Sequence, residues 1–444
     1  GGKVLALTGG NLLQGIAVVG IVGLICIWAL LFAFKAIHKY EKVNGVVDYA
    51  ELALGPKYAY YVGWFMTTIY TPALASMLAF FSAMMFLQLF GISSIDFANG
   101  QVNAVCIGVG AGFLMIGYGI NALSPKIAGK LQVGMTVIKL IPLILMGVAG
   151  TIAGLVNGTT LEVLDYVNSA DYVAVDGTGF FKAIVGFAFA YEGWILATSI
   201  NAELKDSKKN LPRALVLGSI IIIVIYIAYY IGISGSVSVQ TLMDHGANIA
   251  FTTTFGNIGG TLVGVCIAVS CLGTLNGLML SECRSMYGIA ANGQGPGHKM
   301  FSEISKSTNM PTNSSVIGLM FCAAWLLYFF IANLYSKNFL GVFSFDSSEL
   351  PIITIYAFYI PMFICYIAKN HKEGIFKHVI MPALGIVCCA FMVFAALYSH
   401  GYTPFVTAKA DGKFSCPVLF YIIVFAVFMF VGSFFYRRKT DAKK

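Results

Sequence analysis

The sequence predicts an all-α polytopic membrane protein, and three observations carry that expectation. The chain is 58% hydrophobic and only 10% charged over 444 residues, whereas a soluble domain carries about 25% charged residues. Its apolar residues gather into eleven runs, each long enough to cross about 30 Å of hydrocarbon as a helix. Its basic residues collect in every second loop, the pattern expected of cytoplasmic segments.

In order, the runs are roughly 12–36, 58–90, 102–121, 129–155, 178–200, 212–235, 254–291, 313–334, 340–368, 375–399 and 415–436. Within hydrocarbon, N–H and C=O groups meet no water, so an isolated apolar run satisfies its backbone by becoming helix. The longest loops, 156–177 and 292–312, leave no room for a soluble domain, so residues 1–444 read as one transmembrane domain. The 48 glycines suit close helix packing and helix breaks.

Orientation follows from Lys and Arg. With Arg437, Arg438, Lys439, Lys443 and Lys444 in the cytoplasm, alternation puts Lys35, Lys39, Lys42, Lys57, Lys126, Lys130, Lys205, Lys208, Lys209, Arg213, Arg284, Lys299, Lys306, Lys369, Lys372 and Lys377 on the same side. The outer side receives only Lys3, Lys182, Lys337, Lys409 and Lys413. The net charge of +8 is therefore a topological signal and no nucleic-acid partner is expected. Eleven spans with a cytoplasmic C-terminus put Gly1 outside. The opening GGKVLALTGG is not a span and lacks the basic n-region and A-x-A-like site of a signal peptide, so parity predicts a further helix before Gly1.

Several chemistries are excluded. The ten cysteines lie almost entirely within apolar runs and form no CxxC pair, so neither a disulfide framework nor a zinc site is indicated. The six histidines fall in loops or at span ends, which argues against a metal cluster, a cofactor or an enzyme within the membrane. GQGPGHK at 293–299 fails the phosphate-loop pattern and reads as a flexible loop. A channel would need a ring of like residues or a carbonyl filter, and neither is visible.

Ionisable residues inside a span are functional candidates because they are costly there. Lys139, in TVIKLIPL, stands nine residues beyond Lys130, roughly 13 Å deeper at 1.5 Å per residue. It is either a snorkelling or paired lysine or a functional interior amine. In span 178–200, Gly186 and Gly193 bracket Glu192, which reads as a discontinuous helix whose freed carbonyls take an ammonium group and whose N–H groups take a carboxylate. The bland reading is a packing stripe of glycines with Glu192 paired to a neighbour. Ser270 and Thr274, four residues apart, share a face of span 254–291 and serve either as a site or as helix glue. Asp346 and Glu349 lie near Pro351, a potential helix breaker, at an outer vestibule or in a structural turn.

These segments resemble a known family. Phe189-Ala-Tyr-Glu-Gly-Trp194, followed by Ala202-Glu-Leu-Lys-Asp-Ser-Lys-Lys-Asn-Leu-Pro-Arg213, is similar to the sixth span and following loop of L-type amino acid transporters, within the amino acid–polyamine–organocation superfamily. Ser270-Cys-Leu-Gly-Thr-Leu-Asn-Gly277, with Arg284 beyond it, resembles their eighth span, and Lys139 falls where some sodium-independent members carry a lysine. The resemblance covers essentially the whole chain.

It implies a LeuT-like inverted-repeat fold in which the eleven spans are family spans 2–12 and family span 1 is missing. Spans 2–5 would then occupy about 12–155, spans 6–10 about 178–368, and spans 11–12 about 375–436. It implies that Phe189 gates the substrate, that Phe189, Ala190, Tyr191, Glu192 and Gly193 form the span-6 half of the site, and that Ser347 and Ser348 line the pocket. It also implies that Lys139 stands in for a sodium ion beside Ser270 and Thr274. Loop Gly91-Ile-Ser-Ser-Ile-Asp-Phe-Ala-Asn-Gly100 lacks the cysteine by which animal relatives attach a heavy subunit. The expectation is thus a prokaryotic plasma-membrane permease for neutral amino acids, sodium-independent and either proton-coupled or exchanging. A carrier of cationic amino acids or polyamines is the alternative, and an inactive truncated product the remaining one.

Overall fold

The computed structural model describes residues 2–23, 46–92, 95–96, 101–102, 104–169, 172, 177–191, 206–245, 247–335, 343–369 and 374–437. In chain order the helices are α1 (Gly2–Leu7), α2 (Leu12–Ile21), α3 (Val46–Leu54), α4 (Pro56–Leu89), α5 (Val105–Leu123), α6 (Lys126–Val156) and α7 (Thr159–Asp165). There follow α8 (Gly177–Tyr191), α9 (Ser207–Ser236), α10 (Val239–His245), α11 (Ala247–Ala291), α12 (Thr312–Ala332), α13 (Leu350–Lys369), α14 (His378–Ala410) and α15 (Pro417–Phe435). Helix occupies part or all of every predicted span. Nine of these helices are long and apolar enough to cross a membrane, and α2 and α8 are shorter apolar helices whose predicted spans run on beyond the described residues.

Four local departures have physical causes. Of the span expected from residue 340, the described residues are α-helical from Leu350; just ahead of it the Asp346 carboxylate accepts from the Ser348 and Glu349 N–H groups at 2.7 and 3.1 Å and caps the turn that leads into the helix. Pro351 therefore sits in that first turn, where its missing N–H costs nothing, and starts the helix instead of breaking it. The 254–291 span extends back to Ala247, with a break at Gly256, whose φ of 72° is the left-handed conformation glycine adopts freely. The 375–399 span continues to Ala410 through a π-helical turn at Tyr398–Tyr402. The segments expected as loops also carry short order: α7 lies within 156–177, and β1 (Ile95–Asp96) pairs antiparallel with β2 (Gln101–Val102).

Helix α4 is the central post, packed by α5, α11 and α12. Pro72 has no N–H for the carbonyls one turn back, Thr67 in the π-helical register of Met66–Tyr70 or Thr68 in the α-helical one. The Trp325 indole of α12 supplies a donor there, donating to the Thr68 carbonyl at 2.8 Å. Tyr60 and Trp64 donate in the same way to the Gly432 and Phe428 carbonyls of α15, at 2.7 and 2.9 Å.

Helices α6 and α9 run in step through glycine. A methyl placed on Gly150 would lie 2.6 Å from the Gly232 carbonyl oxygen, and one on Gly232 would lie 2.1 Å from the Met146 carbonyl oxygen. Gly147 faces Ala228 and Gly154 faces Gly235, so the helices are parallel and almost backbone to backbone. Outward-facing positions carry exposed large apolar side chains, among them Val133, Leu155, Leu217, Val224 and Phe430, as a lipid-facing surface requires.

Candidate functional site

The site expected around span 6 is described up to Tyr191; Glu192 and Gly193 lie outside the described residues. Through Gly186 and on to Tyr191, α8 is continuous helix. Tyr226 of α9 donates its hydroxyl to the Ala190 carbonyl at 3.0 Å. Tyr191, buried, donates to the Val19 carbonyl of α2 at 3.1 Å. Phe187, Tyr191 and Tyr226 form a ring cluster with centroids 5.2–6.1 Å apart. Phe189 is half-buried on the same helix end.

Lys139 lies on the α6 stripe that faces α11. One turn at a time, a methyl on Gly277 would lie 3.4 Å from the Gln132 amide, and one on Gly273 would lie 2.7 Å from Met135 Cβ. The next steps along the two stripes, 132–135–139 and 277–273–270, bring Lys139 to the level of Ser270. An amide clamp fixes this register: Asn121 donates to Asn276 Oδ1 at 2.9 Å, and Asn276 donates to Gln132 Oε1 at 3.0 Å. Lys139 is half-buried and makes no hydrogen bond or ion pair among the described residues. Thr274 is exposed and spends its hydroxyl on the Ser270 carbonyl at 3.0 Å.

Ser347 is fully buried, and its hydroxyl has no hydrogen-bond partner among the described residues. Ser348 bonds to Asp346 through both its N–H and its hydroxyl. Of the two readings of the acidic pair, an outer vestibule or a structural turn, the contacts fit the structural one. Asp346 caps α13, and the mostly buried Glu349 carboxylate meets His400 Nε2 of α14 at 2.8 Å. His400 thus lies within a helix rather than in a loop, because the helix continues past residue 399.

The candidates fall into three groups: the end of α8, the facing stripes of α6 and α11, and the start of α13. Sequence reasoning missed Tyr226, His400 and Glu282. Glu282 of α11 is 1% exposed, and neither carboxyl oxygen has a hydrogen-bond partner among the described residues. Ser285, one turn on, gives its hydroxyl to the Ser281 carbonyl. Gly318 of α12 leaves room for the acid: a methyl there would lie 3.0 Å from Glu282 Cγ. An acid within the apolar run 254–291 was the available signal for Glu282.

A bundle of membrane-length helices with polar groups held between them is the architecture of a multi-spanning membrane protein. Its fold is similar to that of MhsT, solved in complex with L-phenylalanine, with a TM-score of 0.54, 15% identity, and coverage of 89% of this chain and 93% of that one. Residues 2–429 match the amino acid permease family, and the chain belongs to it. It is a membrane transporter and not an enzyme. The serine/threonine exchanger SteT of Bacillus subtilis (strain 168) is 29% identical over 337 residues, covering 75% of this chain and 70% of its own. The cystine/glutamate transporter of Homo sapiens is 23% identical over 370 residues, covering 82% and 69%.

Proposed function

We propose that this permease carries neutral amino acids by alternating access, without sodium, as a proton-coupled carrier or an exchanger. The observation that supports this reading most is Lys139, a half-buried amine with no partner among the described residues, on the stripe that faces Ser270. A fixed cation there does the work of a bound sodium ion, and its ammonium competes for the same oxygens. Phe189, Ala190, Tyr191, Glu192 and Gly193 would then hold the substrate's backbone groups, with Ser347 and Ser348 against its side chain. The likeness to SteT, named for serine and threonine, supports small neutral substrates.

Three acids, Glu192, Asp346 and Glu349, speak for the cationic alternative; Asp346 is engaged in a helix cap and Glu349 with His400. The distribution of Lys and Arg supports a cytoplasmic C-terminus, and the loop 91–100, without cysteine, supports a carrier that works without a disulfide-linked heavy subunit. The test is uptake of labelled serine, alanine and arginine into proteoliposomes by the protein and by Lys139→Ala. We expect serine and alanine uptake to exceed arginine uptake. In Lys139→Ala, transport should fall by about tenfold or more and the pH dependence of kcat should change, as removal of an interior charge with a coupling role requires. Unchanged affinity and pH profile in that variant would refute the role of Lys139.

A further inference from the structure

His400 and Glu349 form an ion pair that joins two spans near the candidate pocket. Their contact is 2.8 Å, and their side chains are only 16% and 11% exposed. His400 lies in the π-helical turn Tyr398–Tyr402, which packs on α8 and α15, while Glu349 immediately precedes α13. The charged and titratable groups facing the imidazole are Glu349 and Asp346 ahead of α13, and Lys182 of α8. Tyr398 and Tyr402 lie on the same turn, and Tyr421 of α15 shares a 2.6 Å hydrogen bond with Thr354.

The neighbours of Glu349 give the pair its leverage. Asp346 holds the N–H groups of both Ser348 and Glu349, so the stretch 346–349 moves as a unit. Within that unit sits Ser347, fully buried, with a hydroxyl that has no partner among the described residues. Whatever fixes Glu349 therefore also fixes Ser347. Histidine is the side chain whose ordinary titration lies closest to neutrality, so the charge on this link can be set by pH.

We propose that His400 and Glu349 form a proton-operated tie that positions Ser347 and Ser348, making His400 a positioning residue for substrate recognition. The inference rests on the reading that these serines line the pocket of an amino acid carrier. With His400 protonated, the ion pair holds the start of α13 against α14. When the proton leaves, the charge–charge attraction is lost, at most a neutral hydrogen bond remains, and the hold on the serine-bearing turn weakens. The tie is thus present at low pH and lost as pH rises through the histidine titration, and substrate affinity follows it.

Two readouts test this on the full chain, one independent of transport. The first is thermal unfolding in detergent from about pH 5.5 to 8.5, the range spanning histidine titration. The second is the KM and kcat for serine uptake over the same range. In the wild-type protein we expect the unfolding temperature to fall and KM to rise by about fivefold with pH, the scale a modest coupling energy gives, with kcat changing less. His400→Gln, which cannot be charged, should flatten both profiles at their high-pH values. Glu349→Gln, which keeps a hydrogen bond but not the ion pair, should flatten them too.

If His400→Gln keeps the wild-type slope of unfolding temperature with pH, the tie does not exist and the proposal fails. If that slope is lost but the KM profile is unchanged, the tie does not set the pocket and the proposal also fails. Failure of the carrier reading looks different: the wild-type protein itself would take up no serine at any pH, and the proposal would fall with it.

Discussion

The Tyr226 hydroxyl donates to the Ala190 carbonyl at 3.0 Å, fixing the described end of α8 to α9. The carbonyl that Tyr226 takes is one of those proposed to receive a substrate ammonium group. Tyr226→Phe keeps the ring cluster with Phe187 and Tyr191 and removes only this bond. An interhelical hydrogen bond in a membrane is worth about 0.6 kcal/mol on average, so thermal stability should change little. Serine KM should nevertheless shift by roughly threefold or more, because a geometry set for binding is loosened while the fold stays intact. Unfolding temperature and uptake kinetics, measured on the same preparation, separate the two effects.

The contact between α6 and α9 tolerates no added volume. Gly150→Leu or Gly232→Val places side-chain carbon where a methyl already lies within 2.6 or 2.1 Å of a main-chain oxygen. Rigid backbone cannot yield as a side chain tip can, so the expected cost is at least about 3 kcal/mol. Gel filtration in detergent should show loss of the monodisperse peak. Gly20→Leu, where no described residue lies within 4 Å of the added methyl, should behave as wild type.

How much of this was legible beforehand depends on which physical rule was at work. The spans were readable because hydrocarbon leaves an apolar run no alternative to helix. Lys139 was readable because a charge inside such a run is costly. The start of α13 was not, since it turns on one side chain, Asp346, capping two N–H groups, and apolarity carries no record of that. His400 was hidden because hydropathy fades near residue 399, although the helix continues through Tyr402. Tyr226 looked like one more aromatic among apolar residues, and its partner is a carbonyl, which every residue has. Glu192 and Gly193 stand outside the described residues, so the proposed break remains a reading of their spacing.

Trp325 and Pro72 should be energetically coupled. Trp325→Phe leaves the Thr68 carbonyl buried without a donor, at a cost of about 1–3 kcal/mol. In the α-helical register, Pro72→Ala restores the helix's own N–H to that carbonyl. In the Pro72→Ala background, Trp325→Phe should therefore cost measurably less than it does alone. A double-mutant cycle on unfolding temperature checks this, and additive effects would show that Pro72 does not create the vacancy.

Glu282 offers a test of stability against function. An acid with no partner among the described residues gains little from remaining in an apolar interface, so Glu282→Met should raise stability by ~1–2 kcal/mol. Differential scanning fluorimetry reads the change. If uptake falls while stability rises, Glu282 is kept for transport; a loss of stability would show that the carboxyl is bonded after all.

The glycine contact between α6 and α9 has a mechanical consequence. Because neither helix can slide or tilt against the other without main chain striking main chain, the two behave as one stiff lever. One arm carries Lys139, and the other carries Tyr226, which grips Ala190. Any displacement that begins at the amine is delivered to the end of α8, so cargo and coupling group cannot be moved separately.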